Sequence, residues 1–414
     1  MLSRSGLGQR DGEFSRTMTQ AADERAPRTQ LAIIFLTRTA INTTFRIIYP
    51  FLPSIARGLG ISLKAAGALV SLRMAGRLTS PFLGPLADRY GRRRVMEIAL
   101  LLFSLASLLL AGLGTFAAAA VAFILYGVAK ALYDPAIYAY LGDTVPYHKR
   151  GRTIGAVELA WSSAWLLGVP ASGFLIERFG WRAPWTVLIV LGLLGLWLTR
   201  ANLPPAARPS TGDDGERFVA SLAAAWRDLL RRRSVVALLL VSLFSTVATE
   251  ITFIVYGAWI ETAFGLNVSA LGVASIVVGL AEAAAEFSAA AFTDRLGKRR
   301  SVLLGMLGLT ASLVALPWLS GFGLAAALLG IVLMMLTFEF AVVSLLPLAT
   351  ELAPDTRASL LALMLTAFGL ARVLGAFVGG WLWQWQSIAL HAGLGAVCAL
   401  IAVLLMARGV MEIE

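Results

Sequence analysis

The sequence predicts an all-α integral membrane protein whose twelve transmembrane helices form two related six-helix bundles. Three observations carry this. Of 414 residues, 58% are hydrophobic and only 14% charged, whereas a soluble domain carries roughly 25% charged residues, and the mean hydropathy is +0.78. The apolar residues fall in blocks of about 20, the length that crosses a bilayer as a helix. The second half of the chain also repeats the first.

The blocks place spans 1 to 6 near 31–56, 64–88, 94–114, 117–141, 153–176 and 184–201. Spans 7 to 12 lie near 234–261, 268–292, 300–319, 323–348, 358–383 and 387–407. The chain thus divides into an N-terminal tail (1–30), a first bundle (31–201), a linker (202–233), a second bundle (234–407) and a C-terminal tail (408–414). The first thirty residues are polar and lack the apolar core of a secretory signal. The linker opens with Asn202-Leu203-Pro204-Pro205, a breaker composition. Phe218, Leu222, Ala225, Trp226 and Leu229 then recur at helical spacing between arginines, which reads either as an amphipathic helix on the inner leaflet or as a solvated helical linker.

The formal charge of +11 would suggest a nucleic-acid partner in a soluble protein, but its placement points elsewhere. The even-numbered loops carry Arg89, Arg92, Arg93 and Arg94; Lys149, Arg150 and Arg152; Arg231, Arg232 and Arg233; and Arg295, Lys298, Arg299 and Arg300. The odd-numbered loops carry Arg57, Lys64, Arg178 and Arg182. Basic loops stay cytoplasmic, so both termini are expected inside and the chain in the cell inner membrane. Membrane lipids are then its surroundings, and no nucleic acid is needed to explain the charge.

Enzyme chemistry finds little support. The lone cysteine, Cys398, sits in an apolar run, and the two histidines, His148 and His391, are far apart. A thiolate cluster and a helical His-x-x-x-His zinc pair are therefore absent from the sequence. No cofactor is expected.

The repeat is specific. Asp88-Arg89-Tyr90-Gly91-Arg92-Arg93-Arg94 matches Asp294-Arg295-Leu296-Gly297-Lys298-Arg299-Arg300 at an offset of 206. Asp143-Thr144-Val145-Pro146 matches Glu351-Leu352-Ala353-Pro354 at 208, and Gly168 and Gly173 match Gly375 and Gly380 at 207. A repeat of six spans keeps both halves in the same orientation, with a binding site between them near the midplane.

The segment Gly84-Pro85-Leu86-Ala87-Asp88-Arg89-Tyr90-Gly91-Arg92-Arg93-Arg94 resembles the signature loop of the major facilitator superfamily, Gly-x-Leu-x-Asp-Arg-x-Gly-Arg-Arg. With its degenerate copy at 294–300 and the six-plus-six layout, the resemblance covers nearly the whole chain. It implies the major facilitator fold, a secondary transporter acting by alternating access on a small-molecule substrate, and a monomer. It also implies that Gly84, Asp88, Arg89, Gly91, Arg92, Asp294, Arg295 and, on span 11, Arg372 form a conformational latch. Gly168-Val169-Pro170-Ala171-Ser172-Gly173 on span 5 is similar to the Gly-Pro-x-x-Gly motif of proton-coupled exporters, with one extra residue before the proline. Span 4 departs from the exporters' arginine followed by glycine: Lys130 is followed by Asp134-Pro135, a spacing at which the two charges can neutralise each other.

The charges inside the spans are the main candidates for chemistry. An ionised group at mid-bilayer costs roughly 2.5–3.5 kcal/mol by insertion scales, so such groups face a polar cavity or one another. Their distribution is asymmetric. Span 1 carries Arg38, Asn42 and Arg46 on one face, and span 2 carries Arg73 and Arg77. Span 7 carries Glu250, span 8 Glu282 and Glu286, and span 10 Glu339. Under the repeat, the same depth is basic in one half and acidic in the other.

Arg38, Asn42, Arg46, Arg73, Arg77 and Lys130 are expected to meet an anionic or zwitterionic group, and Tyr126, Trp161 and Tyr256 to line an amphipathic cavity. Asp134, Glu158, Glu250, Glu282, Glu286 and Glu339 are expected to exchange protons, since a desolvated carboxyl titrates closer to neutrality. The bland alternative is a set of buried ion pairs, in which Glu158 and Arg372 take part. The expected activity is proton-coupled efflux of a small amphiphilic or anionic compound, with protons as the coupling partner. Flipping of a lipid or lysolipid, and a non-transporting membrane binding or assembly protein, remain open alternatives.

Overall fold

The computed structural model describes residues 28–145, 147–204, 226–353 and 356–410. The ordered elements among them are helices. Span 1 is Arg28–Arg46 followed by Ile48–Leu59, bent by 64°. Span 2 is Leu63–Arg77 followed by Ser80–Tyr90, span 3 is Arg92–Gly112, span 4 is Phe116–Thr144, and span 6 is Ala183–Asn202. Span 5 runs from Tyr147–Ser163 through a π turn at Ala164–Gly168 into Val169–Phe179. In the second half, span 7 is Arg233–Phe253 and Tyr256–Phe264, and span 8 is Val268–Ala274 and Ile276–Leu296. Spans 9 to 12 are Lys298–Ser320, Leu324–Leu352, Arg357–Leu382 and Ile388–Gly409.

Ten of these segments are long and apolar enough to cross a membrane, and the bent pair of span 1 makes an eleventh. The expected second span departs from an unbroken helix. Pro81 has no N–H to donate to the carbonyl four residues back, and the helix ends at Arg77 and restarts at Ser80. Neither piece alone reaches the length of a bilayer crossing. The expected linker helix falls mostly outside the described residues, including Phe218, Leu222 and Ala225. Trp226 and Leu229, at its end, pack on the core, and Leu229 is buried.

The repeat seen in the sequence is also a repeat of backbone shape. Gly91 and Gly297 adopt nearly the same left-handed conformation, with φ of 90° and 88° and ψ of 140° and 137°. Each turns the chain between consecutive spans where a side chain would be strained. Within each half, the third span packs on the fourth and sixth, and the ninth on the tenth and twelfth. The halves meet along helix pairs that include 1 with 7, 2 with 11, 5 with 8 and, more lightly, 1 with 8. Large apolar side chains such as Leu108, Val190, Leu304 and Phe287 face outward, where only lipid would hide them from water.

Candidate functional site

Prolines set the local geometry of the site. Pro50 cannot donate to the carbonyl of Arg46, and its ring crowds that carbonyl. Span 1 bends at that point, and Arg46 and Tyr49 flank the bend. Pro135 similarly frees the carbonyl of Ala131 on span 4. The Ser80 hydroxyl at the restart of span 2 donates to it at 3.2 Å. On span 5 the π turn ends with the Val169 N–H donating to the Ala164 carbonyl. A π turn holds one residue more than an α turn, and this accommodates the extra residue of Gly168-Val169-Pro170.

One charged network lies within the first half. The Arg38 guanidinium donates to both carboxylate oxygens of Glu158 at 2.9 and 3.2 Å, to the Val157 carbonyl at 3.1 Å and to the Tyr138 hydroxyl at 2.7 Å. Tyr138 in turn donates to Glu158. Lys130 donates to Asn42 Oδ1 at 2.6 Å and pairs with Asp134 at 3.0 Å. Asp134 also lies 3.7 Å from Arg38 and 3.9 Å from Arg77. The pairing of Lys130 with Asp134 one turn later on span 4 realises the self-neutralising alternative raised by their spacing. Glu158 is 46% exposed, so this network reaches an open space.

A second network crosses between the halves. Arg46 on span 1 meets Glu282 on span 8 at 2.5 Å, both buried. Its guanidinium lies 3.9 Å from the Trp161 ring centre and 5.0 Å from that of Trp165. Tyr49 donates to Glu250 on span 7 at 3.1 Å, and Arg372 on span 11 donates to the same carboxylate at 3.0 Å and to the Tyr49 hydroxyl at 3.1 Å. Between these groups is a cavity of about 10 Å³, lined by Arg46, Thr246, Glu250, Glu282, Glu339 and Arg372 among others, room for about one water molecule. Glu339 has no ion-pair partner among the described residues, and Glu286, one turn beyond Glu282, is exposed.

The halves are closed against each other at the face opposite the basic loops. A side chain on Gly257 of span 7 would stand 2.0 Å from the Pro50 carbonyl, so the missing Cβ lets spans 1 and 7 touch. Spans 2 and 11 likewise cross at Gly67 and Gly380. At the same face Arg57 pairs with Glu261 at 2.7 Å, and Glu177 accepts from the Ser269 N–H at 2.7 Å. Near the basic loops, Arg92 bonds Asp143 and Lys298 bonds Glu351, each within its own half.

Several expected site residues stand elsewhere. Arg372, grouped with the latch by resemblance, sits in the central cavity, because span 11 carries it to the depth of Glu250. Tyr126, expected to line the cavity, is buried inside the first half, bonded to Ser107 at 2.9 Å and packed on Phe103 and Trp185. Tyr256 is also buried, stacked on Phe253 and 3.4 Å from Ser275. Arg73 is fully buried. It donates to the Thr44 carbonyl at 2.7 Å and lies over the Phe45 ring, while its Nε and Nη2 lack hydrogen-bond partners. Of the latch residues, Gly84 falls within the helix Ser80–Tyr90, and the side chain of Asp88 lies outside the described residues. Arg89 stacks on Tyr90, and Asp294 and Arg295 are exposed.

Sequence reasoning does not single out Thr246, Thr249, Phe253, Met335 and Phe338, which also line the cavity. A signal was available. Thr246, Thr249 and Phe253 share a helical face with Glu250, and Met335 and Phe338 share one with Glu339.

Two related helical halves, closed on one side around buried charged groups, are the architecture of a multi-pass membrane transporter. The comparisons agree. The chain matches the Major Facilitator Superfamily over residues 34–255 and 238–412, and it belongs to that family. It is 25% identical to the uncharacterized MFS-type transporter YceJ of Bacillus subtilis, over 85% of this chain and 88% of that one. It is 35% identical to multidrug resistance protein 2 of the same organism over 150 residues, 36% of this chain and 37% of that one. Its fold matches a D-xylose–proton symporter with a TM-score of 0.75 at 18% identity, over 93% of this chain and 98% of the other.

Proposed function

We propose that this transporter is a proton-coupled exporter of small amphiphilic molecules. The observation that carries the reading is the pairing of acidic groups across the seam. Glu282 of the second half is held by Arg46 of the first, and Tyr49 of the first half donates to Glu250 of the second. These bonds must break for the halves to part at that level. Proton uptake by the carboxylate removes the charge that makes the bond strong, so protonation and the conformational step are linked. Glu286 and Glu339 stand nearby as further proton carriers, and the exposed Glu158 lies nearer the basic loops.

With the basic loops cytoplasmic, the closed face is the outer one and the conformation is inward-facing. A substrate then enters from the cytoplasm or the inner leaflet. Phe253, Met335 and Phe338 give the cavity an apolar wall beside its charges, which suits an amphiphile better than a sugar. The partial similarity to multidrug resistance protein 2 supports export.

The test is transport in proteoliposomes under an imposed pH gradient, with ethidium as a first amphiphilic probe. Gradient-dependent movement that is lost in Glu250→Gln is the expected result. Movement that ignores the gradient, or survives that substitution unchanged, rejects the coupling.

A further inference from the structure

We infer that a second binding site lies between the halves at the face away from the basic loops, and that it takes a small zwitterion with an apolar side group, of the size of an aromatic amino acid. The inference goes beyond the transport reading and does not depend on the direction or the coupling of movement. A cavity of about 220 Å³ stands at that face, far larger than the one at the centre. Pro53 and Ile61 line it from the first half, and Ala258 and Trp383 from the second. Arg57 and Glu261, which pair across the seam, stand in its wall. Trp383 is buried and held edge-on against His391 with ring centres 5.7 Å apart, so this wall is formed before any guest arrives.

The lining sets the class of guest. Sites for drug-sized ligands run to roughly 300–1,000 Å³, so this smaller space suits a smaller molecule. Its apolar walls favour an apolar group, which gains by leaving water. Its charges cancel, because Arg57 Nη1 and Glu261 Oε1 stand 2.7 Å apart. A guest with a single charge would leave one charge uncompensated in a poorly wetted space, whereas a zwitterion keeps the site neutral. The pair can accept one without breaking. Arg57 also donates through Nη2 to the Ser54 hydroxyl at 3.2 Å, and a guanidinium carries more donors than these two bonds use. Glu261 keeps its second oxygen for an ammonium. The Thr262 hydroxyl donates to the Ala258 carbonyl at 2.7 Å, which leaves its oxygen as a further acceptor. Parting of the halves at this face would draw Arg57 from Glu261 and dismantle the site, so a bound guest favours the closed arrangement.

The experiment is equilibrium binding to the purified full-length protein in nanodiscs. Its probes are L-phenylalanine, 2-phenylethylamine and 3-phenylpropionate, which share a phenyl group and differ in charge. The wild-type protein should bind phenylalanine about tenfold more tightly than either of the others, the worth of one charge-assisted hydrogen bond. Arg57→Gln should turn the preference toward the amine, and Glu261→Gln toward the propionate. Thr262→Trp, at an exposed position of the rim, should fill the cavity and abolish binding of all three. Saturating phenylalanine should also shorten the distances between spin labels on spans 1 and 7 at this face. If the charge variants fail to fold, the wild-type ranking and Thr262→Trp still decide. An absence of saturable phenylalanine binding, equal binding of the three probes, or phenylalanine binding that persists in folded Thr262→Trp would overturn the inference. Spin-label distances that stay the same or lengthen at saturation would overturn the bridging of the halves.

Discussion

Two ion-pair networks of similar chemistry sit at different places in this molecule and do different work. Arg38, Asp134, Glu158, Lys130 and Tyr138 all belong to the first half. They travel together when that half moves, and their bonds need not break. Arg46 with Glu282 and Tyr49 with Glu250 join the two halves. Their bonds oppose separation, and the proposed cycle requires their release. Intramembrane charge therefore divides by whether its partner moves with it, a distinction that residue type does not reveal.

The largest effect should come from the crossing pair. Glu282→Gln leaves the buried Arg46 without a carboxylate partner, and removing one partner of a buried pair costs about 3–5 kcal/mol. Gradient-driven flux in proteoliposomes should fall by at least about tenfold; flux close to wild type would place the coupling elsewhere. Gly257→Val comes next, since its Cβ would press on the Pro50 carbonyl. Spin labels on spans 1 and 7 at the face away from the basic loops should report longer distances than in the parent protein, and an unchanged distribution would show that the seam yields elsewhere.

Glu158→Gln should act on stability more than on coupling. Its carboxylate is 46% exposed, so the loss is about 1 kcal/mol, visible as a lower unfolding temperature with flux within about threefold of wild type. A collapse of flux would bring Glu158 into the proton path and erase the contrast between the networks. The smallest effect belongs to Arg57→Gln at the rim away from the basic loops. Arg57 is 58% exposed, and such pairs contribute about 0.5 kcal/mol. Only a slight shift in the spin-label populations should follow, and it should shrink further in high salt.

Much of the fold was legible because membrane burial leaves a strong compositional trace. Long apolar blocks and the repeat around Asp88 and Asp294 predict the membrane class and the facilitator fold that the chain has. The apolar residues of span 2 run through Pro81 and predict one helix, whereas the backbone chemistry of proline divides it. The site was legible as a set of ionised residues and illegible as a set of partners. Arg38, Asn42, Arg46, Arg73 and Arg77 looked equivalent as basic or polar faces, yet Arg38 and Arg46 hold carboxylates in different halves and Arg73 holds a backbone carbonyl. Tyr126 and Trp161 looked alike as aromatics, yet one fills the first half and the other covers the Arg46 guanidinium.

The sequence by itself determined which charges fall within the apolar spans, since apolar length and helical rise place them there. It also placed the prolines that bend span 1 and break span 2 close to their arginines. Only the tertiary structure decided which charges meet. Helical spacing fixes the face a residue occupies, but pairing depends on the rotation and crossing of helices far apart in the chain. Arg46 and Glu282 are 236 residues apart in sequence and 2.5 Å apart in space, a meeting set by the small residues that let spans 1, 5, 7 and 8 approach.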